Sequence, residues 1–161
     1  MVKAYIGIGS NTGNKENNIM RATTVLSNLF DVTNKSSVYE AEPIGYKYND
    51  WFFNSVIEVE TDLEPELLLK KLQMIEDQFG RQRSVKYGKI TMDLDLLFYE
   101  NKIMEQFNLQ IPHTKIPDRR FVLLPMNEIA PDFMHPVTNK TMKALLKEVG
   151  KDKVVKKVKT N

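Results

Sequence analysis

The chain contains no cysteine, which excludes disulfides, thiolate catalysis and cysteine-ligated zinc. Long apolar runs are missing too, since no stretch approaches the roughly 18 consecutive apolar residues that cross a bilayer. The N-terminal Met1-Val2-Lys3-Ala4-Tyr5-Ile6 passes straight into a strand-like pattern, without an apolar h-region or a small-residue cleavage site behind it. The expectation is a cytoplasmic protein with no membrane partner. Its two histidines, His113 and His135, lack the His-x-x-x-His spacing of a zinc hydrolase. An excess of one charge sign is also missing: the formal net charge of +2 is too small to imply a polyanionic partner, because nucleic-acid binding shows as a clustered basic surface. There is no G-x-x-x-x-G-K-[ST] run, so any nucleotide site must be built without a Walker loop. Gly7, Gly9 and Gly13 come near a dinucleotide fingerprint, but Thr12 stands at its third glycine position, and the following elements do not read as a parallel βαβ repeat.

What is present reads as one soluble domain spanning residues 1–161. The 161 residues suffice for a real core, and 42% hydrophobic with 27% charged content is ordinary for a globular protein. Lysines and arginines gather in two places. Arg81, Arg83, Lys86 and Lys89 surround Tyr87, and the tail from Lys151 to Lys159 reads as a solvated charged end.

Val2, Ala4, Ile6 and Ile8 alternate with Lys3, Tyr5, Gly7 and Gly9, the period of a strand. Asn11 to Asn14 supply a turn and an N-cap for a helix bearing Ile19, Ala22, Leu26 and Leu29. Strands are expected over Val32 to Tyr39 and Phe52 to Thr61, separated by a turn-rich loop. A second helix follows, with Asp62 as cap, Pro65 in its first turn, Leu68, Leu72, Ile75 and Phe79 as its apolar stripe, and Gly80 as its stop. Thr91 to Tyr99 is again a strand, with Met92, Leu94, Leu96 and Phe98 on one face and Thr91, Asp93, Asp95 and Leu97 on the other. The order β-α-β-β-α-β predicts an α+β fold, a ferredoxin-like antiparallel sheet packed by helices. A C-terminal helical extension is expected near Phe121 to Ile129 and around Thr138 to Val149.

Asp93 and Asp95 project from one strand face with Cβ atoms about 7 Å apart. That spacing suits bridging metal ions, and Mg²⁺ prefers one or two carboxylates completed by substrate phosphates. Asp-x-Asp alone would equally describe solvated carboxylates on an open sheet. Its neighbour is the basic loop from Arg81 to Lys89, which offers cations to phosphates held at those carboxylates. Gln73 and Glu76, three apart on the preceding helix, share a face and could meet a ligand together. Phe52 and Asn54 share a strand face and offer an aromatic plane and an amide to a flat heterocycle. His113, flanked by Pro112, is a possible phosphate donor.

The ordered set Ala4-Tyr5-Ile6-Gly7-Ile8-Gly9-Ser10-Asn11, Phe53-Asn54, Gln73-x-x-Glu76, Gly80-Arg81-x-Arg83, Thr91-Met92-Asp93-Leu94-Asp95-Leu96-Leu97, Pro112-His113, Arg119 to Pro125 and Glu128 to Pro131 resembles the 6-hydroxymethyl-7,8-dihydropterin pyrophosphokinases along nearly the whole chain. The resemblance implies pyrophosphoryl transfer from ATP to the hydroxymethyl group of a reduced pterin, releasing AMP, in folate biosynthesis. It implies two Mg²⁺ ions on Asp93 and Asp95, and ATP at Gln73, Glu76, Arg83, Lys86, Tyr87, Leu109, His113, Thr114 and Arg119. The pterin would lie between Phe52 and Phe121, with Asn54 reading its edge, Ala41 and Ile44 in the flanking loop and Asp93 nearby. Arg81 matches a loop arginine associated with catalysis. The expected partners are ATP and the reduced pterin, acting on a monomer, with no nucleic acid. The family commonly has Arg-Trp-Gly-Pro-Arg-Thr before its carboxylates, and here the run is Lys86-Tyr87-Gly88-Lys89-Ile90-Thr91. Ile90 cannot bind phosphate, so Lys89 is expected to carry the missing charge. Asn108 also stands where an arginine is frequent, and Ala41 where a threonine is. Two competing readings are a ferredoxin-like RNA-binding module, which would need aromatics on an open sheet face, and a binding-only relative without turnover.

Overall fold

A computed structural model describes residues 1–42, 51–80, 91–151 and 154–158. Its strands are β1 (Val2–Ser10), β2 (Asp31–Lys35), β3 (Tyr39–Ala41), β4 (Phe52–Thr61), β5 (Asp93–Tyr99), β6 (Met104–Gln106), β7 (Leu109–Ile111) and β8 (Val155–Lys157). Its helices are α1 (Lys15–Leu29), α2 (Pro65–Gln78), α3 (Arg120–Ile129) and α4 (Met142–Glu148), with a 3₁₀ turn at Ile116–Asp118. The main sheet runs β5-β1-β4-β3-β8, with β2 also on β4 and every pairing antiparallel. Because β2 and β3 occupy one position along the same edge of β4, this is the strand order of two interleaved split βαβ units.

The predicted strand over Val32 to Tyr39 is two strands because serine side chains interrupt its ladder. Ser36 Oγ accepts the Val56 N–H at 2.9 Å, and both the backbone N–H and the hydroxyl of Ser37 turn away to Glu128. Side-chain oxygens that satisfy nearby backbone groups compete with regular pairing in this way.

The helices form as their patterns require, with small corrections. The Asn14 side chain caps α1 by accepting from Asn17 N–H, and Ile19, Ala22 and Leu26 are buried. Leu29 is instead exposed, and Phe30 fills the core at the helix end. In α2 the cap position is Glu64 rather than Asp62, without a side-chain bond, and Pro65 begins the helix. Gly80 follows its end at φ +80, a conformation that other residues adopt at a cost. The last helix begins at Met142 rather than Thr138, because the Thr141 side chain caps it by accepting from Ala144 N–H.

Two cores share the sheet. On one face Ile6, Ile8, Ile57 and Leu94 meet Leu26 of α1 and Leu72 of α2. On the other, Tyr5, Val56, Leu97 and Phe98 meet Leu123 and Met126 of α3 and Leu145 of α4. The C-terminal extension therefore covers the face that α1 and α2 leave open. Alternation placed Phe98 with Leu94 and Leu96, but the register between β1 and β5 shifts at Tyr5/Ile6. The extra residue of this bulge turns Phe98 to the opposite face, where its ring meets Tyr5 and Phe133 edge-on. In the basic tail Lys156 and Lys157 are exposed, as expected of a solvated end, but Val155–Lys157 also adds to the sheet as an edge strand on β3.

Candidate active site

β1 and β5 set the floor of the site. Asp93 lies opposite Gly9 and Asp95 opposite Gly7, so each carboxylate faces a position without a side chain. A Cβ on Gly9 would come within 3.1 Å of Asn54 Oδ1, and one on Gly7 within 3.4 Å of Leu97. The glycines of the first strand thus open a cavity of about 180 Å³, lined among others by Ala41, Phe52, Asn54, Asp93, Asp95 and Phe121. In the sequence these glycines stood in the first strand's alternation, in the opening motif of the family resemblance and in a failed dinucleotide fingerprint, none of which gave them the role of a cavity floor.

Asn54 is 8% exposed, and its Nδ2 is buried without a hydrogen-bond partner among the described residues. A buried amide donor is costly to leave unsatisfied, and this one belongs to a cavity-lining residue. Phe52 and Phe121 line the same space from β4 and α3, and the Arg119 guanidinium stands 5.5 Å from the Phe121 ring centroid. Arg119, expected at the nucleotide, therefore borders the cavity that also holds Asn54.

A second cavity, of about 340 Å³, has Leu109, His113 and Thr114 in its lining. Asp95 lines both. The His113 N–H donates to Leu97 O at 3.1 Å, which fixes the residue against β5. Its Nδ1 accepts from Lys115 N–H at 3.4 Å. Burial holds this imidazole below its ordinary pKa, helped by the positive charges of Arg119 and Lys115 and opposed by Asp93.

The α2 pair separates. Gln73 is exposed, whereas Glu76 is 4% exposed and its Oε2 accepts the Leu94 N–H at 2.8 Å. Neither is among the described residues lining the two cavities. Through that bond Glu76 braces β5 midway between the two aspartates. Arg81, Arg83, Lys86, Tyr87, Lys89 and Ile44 lie outside the described residues. Sequence reasoning also gave no role to Glu128, whose carboxylate accepts from Ser37 N–H and the hydroxyls of Ser37 and Tyr39. That contact ties α3, which carries Phe121, to β3, which ends at Ala41. Partial desolvation pushes this carboxylate's pKa up, but the hydrogen bonds from Tyr39 and Ser37 more than offset that and hold it below the usual value.

The model of the 7,8-dihydro-6-hydroxymethylpterin-pyrophosphokinase family matches residues 5–131, which include every described residue of both cavity linings. The chain belongs to this pyrophosphokinase family. It is 37% identical to the 2-amino-4-hydroxy-6-hydroxymethyldihydropteridine pyrophosphokinase of Haemophilus influenzae, with 97% of this chain and 98% of that one covered. The enzyme of the same name from Bacillus subtilis is 40% identical over 78% of this chain and 77% of its own length. The chain also matches the folic acid synthesis protein FOL1 of Dictyostelium discoideum at 37% identity, but spans only 23% of that protein. In three dimensions it superposes on the Plasmodium falciparum HPPK-DHPS with pteroate at a TM-score of 0.73 and 17% identity, covering 91% of this chain and 42% of that one. This likeness supports the pyrophosphokinase fold. The RNA-binding reading loses its platform, because α3 and α4 cover the sheet face where Tyr5 and Phe98 are buried.

Proposed function

We propose that the chain transfers the terminal pyrophosphoryl group of ATP to the hydroxymethyl group of 6-hydroxymethyl-7,8-dihydropterin, releasing AMP. The carrying observation is that Asp95 lines both cavities, so ligands in the two spaces would meet at one carboxylate. The pterin takes the smaller cavity: Phe52 and Phe121 offer it aromatic surface, and the Asn54 amide, whose Nδ2 has no partner among the described residues, meets its polar edge. ATP takes the larger, with His113 and Thr114 near its phosphates. The pterin hydroxyl gives up its proton to solvent and its oxygen bonds to the β-phosphorus, while the bond from that phosphorus to the α,β-bridging oxygen breaks and leaves AMP.

Two aspartates facing glycines, with no third carboxylate or histidine grouped with them among the described residues, fit Mg²⁺ better than a metal needing a full protein cage. Asp93 and Asp95 would hold two such ions, which supply charge neutralisation for the transferring phosphoryl group. Arg81, Arg83, Lys86 and Tyr87 are assigned to the phosphate side of the site, with Lys89 carrying the charge missing at Ile90. The protein acts as a cytoplasmic monomer in this reading.

Incubation with ATP, Mg²⁺ and hydroxymethyldihydropterin, followed by nucleotide separation, tests the reaction. AMP formed together with pterin pyrophosphate is expected; ADP alone overturns the proposal. Asp93→Asn and Asp95→Asn should each remove most turnover while leaving the circular dichroism spectrum unchanged, and near-parental rates in both would refute the carboxylate assignment.

A further inference from the structure

β6 and β7 are joined by a two-residue turn, Phe107-Asn108, between the paired Gln106 and Leu109. Glycine, asparagine, aspartate, serine and proline are the residues such turns favour, so no backbone requirement accounts for the phenylalanine. Packing does not account for it either. At 106% relative accessibility, Phe107 is the most exposed large apolar residue of the described chain. Yet it lines the larger cavity, together with the apolar Leu69, Leu96 and Leu109 and the polar Asp95 and His113.

We infer that Phe107 is the stacking platform for the base of the nucleotide and sets affinity for it; this deepens, and rests on, the nucleotide reading of that cavity. A nucleotide whose phosphates reach Asp95 and His113 lays its base along the leucine-lined part of the cavity, and the turn of the hairpin then borders the base. A side chain with no packing contacts to break rotates onto a ring at little cost. Aromatic surface holds any base through its π-face, and removing such a platform lowers affinity about five- to 150-fold. Asn108 beside it supplies no planar cation of the kind an arginine would bring, which leaves Phe107 as the flat surface of this turn.

Calorimetric titration of the whole chain with Mg²⁺ and either α,β-methylene-ATP or inorganic tripolyphosphate separates base from phosphate binding. The parent chain should bind the nucleotide more tightly than tripolyphosphate. Phe107→Ala should weaken the nucleotide about tenfold or more and leave tripolyphosphate unchanged, while Phe107→Tyr restores nucleotide affinity. In steady state the alanine variant should raise KM for ATP with kcat near the parent's. If Phe107→Ala binds both ligands as the parent does, the stacking role is refuted and the nucleotide reading stands. If the parent binds neither ligand, or binds both equally, the nucleotide reading of the cavity fails and the stacking role falls with it.

Discussion

Single side chains in this protein are set by what lies opposite them. Asn54 sits on β4 across from Gly9, and with no Cβ there its amide stays in the cavity, its Nδ2 without a hydrogen-bond partner among the described residues. Asn54→Ala should therefore cost about 1–3 kcal/mol of pterin affinity, measured by titrating pterin in the presence of an ATP analogue; unchanged affinity would remove Asn54 from the site. His135 illustrates the same dependence in a structural role. It is 4% exposed, and its Nδ1 accepts from the N–H groups of Val137 and Thr138 at 3.2 and 3.3 Å. Burial lowers its pKa, so on acidification the unfolded chain takes up its proton first. The stability His135 contributes is complete above about pH 6.5, the unperturbed histidine value, and is lost as the pH falls through the lower folded value. Urea midpoints should fall between about pH 7 and 5 more steeply for the parent than for His135→Asn, in which nothing at that position titrates. Identical slopes would show that His113 and the carboxylates govern acid sensitivity alone.

Among the elements, α3 is the one whose placement matters most to the site, since its first turn brings Phe121 and Val122 to the smaller cavity. Val122, Leu123 and Met126 hold its buried side, while Glu128 anchors its far end to Ser37 and Tyr39. Glu128 is largely exposed, so water and salt discount this tie to the order of 1 kcal/mol in stability. Its larger effect should be on geometry: Glu128→Ala should raise KM for the pterin several-fold with kcat less affected, and Glu128→Gln, whose one amide oxygen can still accept from Ser37 N–H and the Tyr39 hydroxyl while the acceptor for the Ser37 hydroxyl is lost, should recover part of the loss. Equal KM values in the alanine variant and the parent would mean that the apolar contacts of α3 suffice.

At the scale of the molecule, one sheet separates two cores, and neither core closes without it. Strands β1, β4 and β5 contribute side chains to both faces, so loosening either helical layer exposes the sheet that the other packs on. Thermal unfolding should therefore be a single cooperative transition, with calorimetric and van't Hoff enthalpies equal within error. A separate early transition for the α3/α4 layer would divide the chain into two folding units.

How much of this was legible beforehand follows from the range of the forces involved. Strand parity, helix stripes, an N-cap within Asn11 to Asn14, the Gly80 stop and the shared face of Asp93 and Asp95 are local consequences of backbone period and side-chain type, and the sequence by itself determined them. The ordered motifs also sufficed to mark the family. What only the tertiary structure decided involves partners far apart in the chain. Ser36 breaks the second strand because Val56 presents an N–H to it, and Phe98 changes face because the bulge against β1 moves it. Glu76 turns inward because Leu94 N–H needs an acceptor, and Gly7 and Gly9 become a cavity floor only once β5 and β4 lie beside them. A periodic pattern records which way a residue points along its own element; what it meets there is settled by strands that reach it from elsewhere in the chain.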